Sequence, residues 1–137
     1  MVDIVFEDID EVPGCDSEFF VSWYSDVLNK YDCRLGEICL IFCSDEYLLK
    51  INQEYLNHDT LTDIVTFDNS EDPKKIEGDI FISIERVKEN GEKLGTSATE
   101  LERVMVHGLL HLLGYKDKKK EDKALMTEKE DFYIKQY

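Results

Sequence analysis

The chain has 137 residues, the size of one ordinary domain, and no repeat, low-complexity tract or Gly/Ser linker divides it, so residues 1–137 are read as one domain. Its apolar runs fall far short of a membrane span, and Met1 to Asp8 shows neither a basic region nor a cleavable apolar stretch; a cytoplasmic protein is expected. A net charge of −15, from 16 basic and 31 acidic side chains, opposes nonspecific binding to nucleic acid, which depends on neutralising phosphates.

Residues 2–7 alternate as a strand does. Asp16 or Ser17 can cap a helix running to about Asp32, with Phe19, Phe20, Trp23, Tyr24, Val27 and Leu28 as its apolar stripe. Leu35 to Cys43 is rich in β-formers. It carries Cys39 and Cys43 on one face, read as reduced core residues because the chain has no C-x-x-C and no export signal. Asp45 to about Asn57 reads as helix. Asp63–Phe67 and Gly78–Ile84 read as strands, separated by an acidic loop containing Pro73. A helix over Ile84–Leu94 should end at Gly95, and Ser97-Ala98-Thr99-Glu100 is a capping box for the next one. A last helix runs from about Glu121 to Ile134. Early interleaved strands with flanking helices predict an α+β fold with a single mixed β-sheet.

The helix opened by that box carries His107-Gly-Leu-Leu-His111-Leu-Leu-Gly114-Tyr-Lys-Asp117. Two imidazoles four residues apart on a helix project from one face and can reach one metal ion. Gly114 offers a positive-φ position where the helix can stop and the chain fold back, bringing the Asp117 carboxylate toward the same point. Two nitrogens and one oxygen leave a fourth tetrahedral position for water, as in catalytic zinc sites. His107, His111 and Asp117 are therefore the expected metal ligands and, through a metal-bound water, the expected catalytic residues. His58, the one remaining histidine, is an alternative third ligand, and an exposed Asp117 without a metal is the other alternative. Zincin peptidases place a general-base glutamate beside the first histidine; Gly108 stands there, which counts against peptide hydrolysis.

Downstream, Tyr115–Lys123 reads YKDKKKEDK, five lysines against three acids. Lys116, Lys118, Lys119 and Lys120 are candidates for steering a phosphate backbone, beside the reading that they only solvate a helix start. Thr62 and Asp63, polar residues opening a strand, could position substrate or hydrogen-bond a ligand imidazole, although such a pair more often shapes a turn.

The run H-G-x-L-H-L-x-G-Y followed by a third ligand resembles the YbeY family of metal-dependent endoribonucleases. Ile51-Asn52-Gln53-Glu54-Tyr55, Thr62-Asp63-Ile64-Val65-Thr66-Phe67, Gly78-Asp79-Ile80-Phe81-Ile82-Ser83 and Met126-x-x-x-Glu130 resemble further segments of that family in the same order. The resemblance implies an α+β fold with a zincin-like metal-binding helix and one zinc ion per chain, with manganese or nickel possible. It implies single-stranded rRNA as substrate and a role in rRNA maturation on the small ribosomal subunit. It also makes the strand from Ile80 an edge along which substrate would lie. Two positions depart from the pattern. Asp117 stands where the family has histidine, which makes the site less positive and favours harder metals slightly. Leu56 stands where the family usually has an arginine able to hold a phosphate bidentately. An endoribonuclease is the leading expectation; a ribosome-associated assembly factor with a mainly structural metal is the competing one.

Overall fold

A computed structural model describes residues 1–10, 12, 15–56, 62–117 and 119–135. Strands β1 (Val2–Phe6), β2 (Arg34–Cys43), β3 (Ile64–Asp68) and β4 (Lys75–Ser83) form one four-stranded sheet in the order β1-β2-β4-β3. The β1–β2 and β2–β4 pairs are parallel and β3–β4 is antiparallel, so the sheet is mixed. Helices α1 (Ser17–Asn29), α2 (Asp45–Leu56), α3 (Ile84–Leu94), α4 (Glu100–Leu112) and α5 (Lys120–Ile134) surround it. The expected α+β class with one mixed sheet is the observed one. Among the described residues, no helix is long and apolar enough to cross a membrane.

The period-2 alternation of β2 divides the interior. Ile38, Leu40 and Phe42 face the larger core, with Ile80 and Ile82 of β4, the α1 stripe, Met105 and Leu109 of α4, and Met126 and Tyr133 of α5. Cys43 faces the opposite side and packs with Leu48 of α2 and Val65 of β3. Cys39, on the Cys43 face, stays half-buried; Cys33, Cys39 and Cys43 are free thiols. Burial pushes the Cys43 thiol up to about 12, with the nearby carboxylates of Asp8, Glu7 and Asp45 adding to the effect, so it stays neutral and unreactive.

The substrate-edge expectation fails at β4. That strand is hydrogen-bonded to β2 on one side and β3 on the other, and the edges are β1 and β3. Two further differences are local. Asp16 caps α1 by accepting from the Glu18 and Phe19 amides, but α1 ends at Asn29 instead of Asp32, which itself takes a φ of 57°. The Ser97 capping box does not form. Gly95, at φ 70°, closes α3, and the Thr96 N–H returns to the Gly91 carbonyl at 2.8 Å. That return carries the Ser97 backbone into the α3–α4 contact, 3.0 Å from where a Cβ on Gly91 would sit. Helix α4 consequently starts at Glu100 with Thr99 as a cap that makes no side-chain bond, and the Glu100 carboxyl is buried instead of reaching back.

Candidate metal centre

Helix α4 is the element that builds the site. Val104, Met105, Gly108, Leu109 and Leu112 of its buried face lie in the core, while Leu101 is only half-buried. Gly108 packs closely on the sheet: a Cβ there would stand 2.8 Å from Ile64 Cδ1 and 3.0 Å from Ile80 Cγ2. The position beside the first histidine therefore points into the sheet. Steric contact, and not only residue identity, denies this chain a peptidase-type base.

At its far end α4 closes in a Schellman turn. The Gly114 N–H donates to the His111 carbonyl at 3.0 Å and the Tyr115 N–H to the Leu110 carbonyl at 3.1 Å, with Gly114 at φ 105°. The Tyr115 ring is then anchored through its hydroxyl, which donates to the Tyr31 hydroxyl at 3.1 Å; Tyr133 does the same at 2.8 Å. This pins the returning strand to α1 and α5, and it delivers two groups to the histidines. The Tyr115 carbonyl lies 3.0 Å from His111 Nδ1, and Asp117 Oδ2 lies 3.2 Å from His107 Nε2 and 3.4 Å from His111 Nε2. The two Nε2 atoms are 2.9 Å apart.

The tautomers follow from the partners. A carbonyl only accepts, so His111 carries its proton on Nδ1. His107 Nδ1 faces Glu130 Oε2 at 2.5 Å, so its proton is on Nδ1 as well. Both Nε2 atoms of the neutral imidazoles then present lone pairs to each other and to a carboxylate oxygen. Three acceptors converging this closely repel one another, and a cation held among them would relieve that repulsion. The spacing suits a metal ion. Ligands about 2.0–2.1 Å from zinc in a tetrahedron stand about 3.3–3.4 Å apart, and the separations here are 2.9, 3.2 and 3.4 Å. His107, His111 and Asp117 could hold a metal ion together.

Glu130 is the part of the site that sequence reasoning missed. It lies on α5, 5% exposed, and its second oxygen accepts from Arg103 Nη1 at 2.9 Å. Arg103 and His107, one turn apart on α4, thus hold the two oxygens of one carboxylate, and Arg103 Nη2 also binds Asp131 at 2.5 Å. A carboxylate behind a ligand imidazole fixes its tautomer and raises its basicity. Burial alone would lower the His107 pKa, but the Glu130 hydrogen bond and the charges of Glu130, Asp117 and Asp63 outweigh it, and the net shift is upward. The available signal was the segment Met126-x-x-x-Glu130, an acid on the buried side of a helix at the spacing of Met126.

A cleft of about 570 Å³ opens over the three acceptors, bounded by α2 and the edge strand β3. Thr62, Asp63, Asn52 and Leu56 line it with His107, His111 and Asp117. The Thr62 hydroxyl donates to the Ile64 carbonyl at 3.2 Å. Burial raises the Asp63 carboxyl above its ordinary value, with the charge of His107 acting in the opposite direction. Lys116, Lys119 and Lys120 are exposed and do not line this cleft; Lys118 and His58 lie outside the described residues. Leu56, 41% exposed, sits in its wall, and no cationic side chain does among the described residues.

The family model described as Endoribonuclease YbeY matches residues 7–137. The chain is 54% identical over 111 residues to the Endoribonuclease YbeY of Cytophaga hutchinsonii, covering 80% of this chain and 78% of that protein. It is 51% identical over 123 residues to that of Flavobacterium psychrophilum, covering 85% and 87%. The solution structure of TM1509 from Thermotoga maritima matches with a TM-score of 0.64 at 25% identity, over 98% of this chain and 87% of that one.

Proposed function

The chain belongs to the endoribonuclease YbeY family, and on that footing we propose that it is a cytoplasmic, metal-dependent endoribonuclease that cleaves single-stranded RNA during rRNA maturation on the small ribosomal subunit. The observation that carries the metal dependence is the convergence of His107 Nε2, His111 Nε2 and Asp117 Oδ2, three acceptors whose repulsion a cation would relieve. Zinc, one ion per chain, is the proposed metal, with manganese or nickel as substitutes. Such an ion would supply Lewis-acid polarisation of a phosphodiester oxygen and a water of lowered pKa.

The chain's own groups divide the remaining work. His107, His111 and Asp117 hold the ion. Glu130, braced by Arg103, keeps the His107 lone pair aimed at it. The Thr62 hydroxyl, its proton committed to Ile64, offers lone pairs to a substrate hydroxyl. Asp63, raised by burial and lining the cleft beside His107, is the candidate for passing a proton to a leaving oxygen. Lys116, Lys119 and Lys120 steer the backbone from outside the cleft, and Lys118 shares that role by its place in the sequence. The resemblance of four ordered segments to the family supports the rRNA role, and thiols with no disulfide among Cys33, Cys39 and Cys43 support a reducing compartment.

Elemental analysis of purified protein together with cleavage of single-stranded rRNA tests this reading. Wild type should carry about one metal per chain; His107→Ala and His111→Ala should lose both metal and cleavage. Metal retained by the double alanine variant ends it. A second reading is favoured by Leu56 in a cleft wall with no Lys or Arg among its described residues: an assembly factor whose metal is mainly structural. If His111→Ala folds normally and still restores rRNA processing in cells, that second reading holds.

A further inference from the structure

The cleft over the three acceptors is one arm of a longer trough. Asp63, His107 and Asp117 line it and also line a second depression of about 320 Å³, which continues past His107 between α3, α4 and α5. The two arms share the Asp63 and Asp117 carboxylates and differ in whether a cation stands beside them. The α2–β3 arm contains Leu56 and no cation among its described lining residues. The α5 arm contains Arg103 and Lys123 together with the Glu100 and Glu130 carboxyls, of which Glu130 is bound by Arg103 and His107. Arg103 is already engaged by Glu130 and Asp131, so its charge is spent within the protein. Lys123 is exposed, with no ion pair or side-chain hydrogen bond shown among the described residues. Thr127, one helical turn further on and therefore on the same face of α5, lines the same arm.

We propose that this α5 arm is a phosphate subsite of the trough, in which Lys123, with the Thr127 hydroxyl, holds a backbone phosphate of an RNA strand that passes over His107 and Asp117. The inference rests on the endoribonuclease reading and extends it to a polarity of the site: the strand is gripped on the α5 side and only packed against Leu56 on the other. An ammonium and a hydroxyl at i and i+4 present the charge and the hydrogen bond that a phosphate oxygen accepts. On a chain of net charge −15, one unpaired cation inside the trough has more leverage over a polyanion than the exposed lysines outside it. It also gives this chain a phosphate contact by a different route from an arginine at position 56.

The test is binding, measured apart from cleavage. The full chain is treated with EDTA and titrated into a fluorescein-labelled, unstructured oligouridylate, with anisotropy followed over a salt series. Lys123→Ala should weaken binding and reduce the slope of log affinity against log salt by about 0.7, the contribution of one phosphate contact on a single strand. Lys123→Glu should weaken it further, and Thr127→Ala should weaken it with the salt slope unchanged. Lys129→Ala, the same charge change on another face of α5, should bind as wild type does. Equal affinity and slope for wild type and Lys123→Ala overturn the subsite while leaving the endoribonuclease reading intact. So does an equal loss in Lys129→Ala. A wild-type chain that binds no RNA with or without EDTA, and cleaves none with zinc restored, sinks the endoribonuclease reading and the subsite with it; one that binds only with zinc overturns the subsite alone.

Discussion

Glu130 Oε2 stands 2.5 Å from His107 Nδ1, and this single contact decides which nitrogen of the imidazole faces Asp117. The two residues are 23 positions apart and on different helices, so the direction of the His107 Nε2 lone pair depends on how α5 docks against α4. Arg103 completes the arrangement by holding the other oxygen of Glu130.

The first prediction follows from that contact. Glu130→Gln removes the negative charge and leaves one carbonyl oxygen for two donors, Arg103 Nη1–H and His107 Nδ1–H, so the support behind the imidazole is weakened. Zinc affinity should fall by about 10–100-fold, the usual effect of losing a partner behind a ligand imidazole. Calorimetric titration of metal-stripped protein checks it, and an unchanged dissociation constant would show that Glu130 only braces the fold.

Gly114 should be replaceable only at a cost. Its φ of 105° is a region that side-chain-bearing residues rarely adopt, while a Cβ there would meet nothing within 4 Å. Gly114→Ala should therefore lose about 1–2 kcal/mol through backbone strain alone. Urea unfolding should show a lower midpoint at unchanged slope. Zinc affinity should fall in parallel, because the same turn delivers the Tyr115 carbonyl and Asp117.

Restoring a peptidase-like motif should not produce a peptidase. Gly108→Glu would drive a carboxylate between Ile64 and Ile80, where a Cβ alone already stands 2.8 and 3.0 Å from their side chains and makes them shift. A buried unpaired charge combined with overpacking places this among the severe substitutions. Loss of soluble, cooperatively unfolding protein is expected; a stable variant with proteolytic activity would refute the packing account.

Stability in acid should depend on Asp45. The Arg86 hydrogen bond holds its carboxyl below the usual value against the opposing effect of burial, and the Ser83 hydroxyl, donating at 2.7 Å, adds to it. Because the folded value is depressed, this stabilisation is fully present above the ordinary carboxylate value of 3.8 and is lost as pH falls through the lowered one. Asp45→Asn should be less stable at neutral pH and should lose less than wild type on acidification toward pH 3, read from urea midpoints along a pH series.

Metal and proton compete at His107. In the metal-free chain its raised value means that protonation stabilises the fold fully below 6.5, and that this contribution disappears as pH rises through the raised value. Metal binding needs the unprotonated ring, so its affinity has the opposite slope. The melting temperature of stripped protein should fall as pH rises above 6.5, while the increase produced by added zinc grows over the same interval. Thermal scans with and without metal check both signs.

Features that are local along the chain were readable from the sequence by itself. Helical spacing placed His107 and His111 on one face of α4, Gly114 stopped the helix where its φ of 105° requires a glycine, and period-2 alternation sorted β2 between two cores. Asp117 was nominated from its offset after the turn and does reach both imidazoles. Only the tertiary structure decided the rest. It put Glu130 behind His107, carried Ser97 into a helix contact instead of a cap, buried β4 between two neighbours, and turned Lys123 into the trough while Lys116, Lys119 and Lys120 stayed outside. The physical reason is common to these four. Periodicity and turn chemistry act between residues a few positions apart, whereas the choice among acceptors, edges and cations is made by elements that meet only when the core closes.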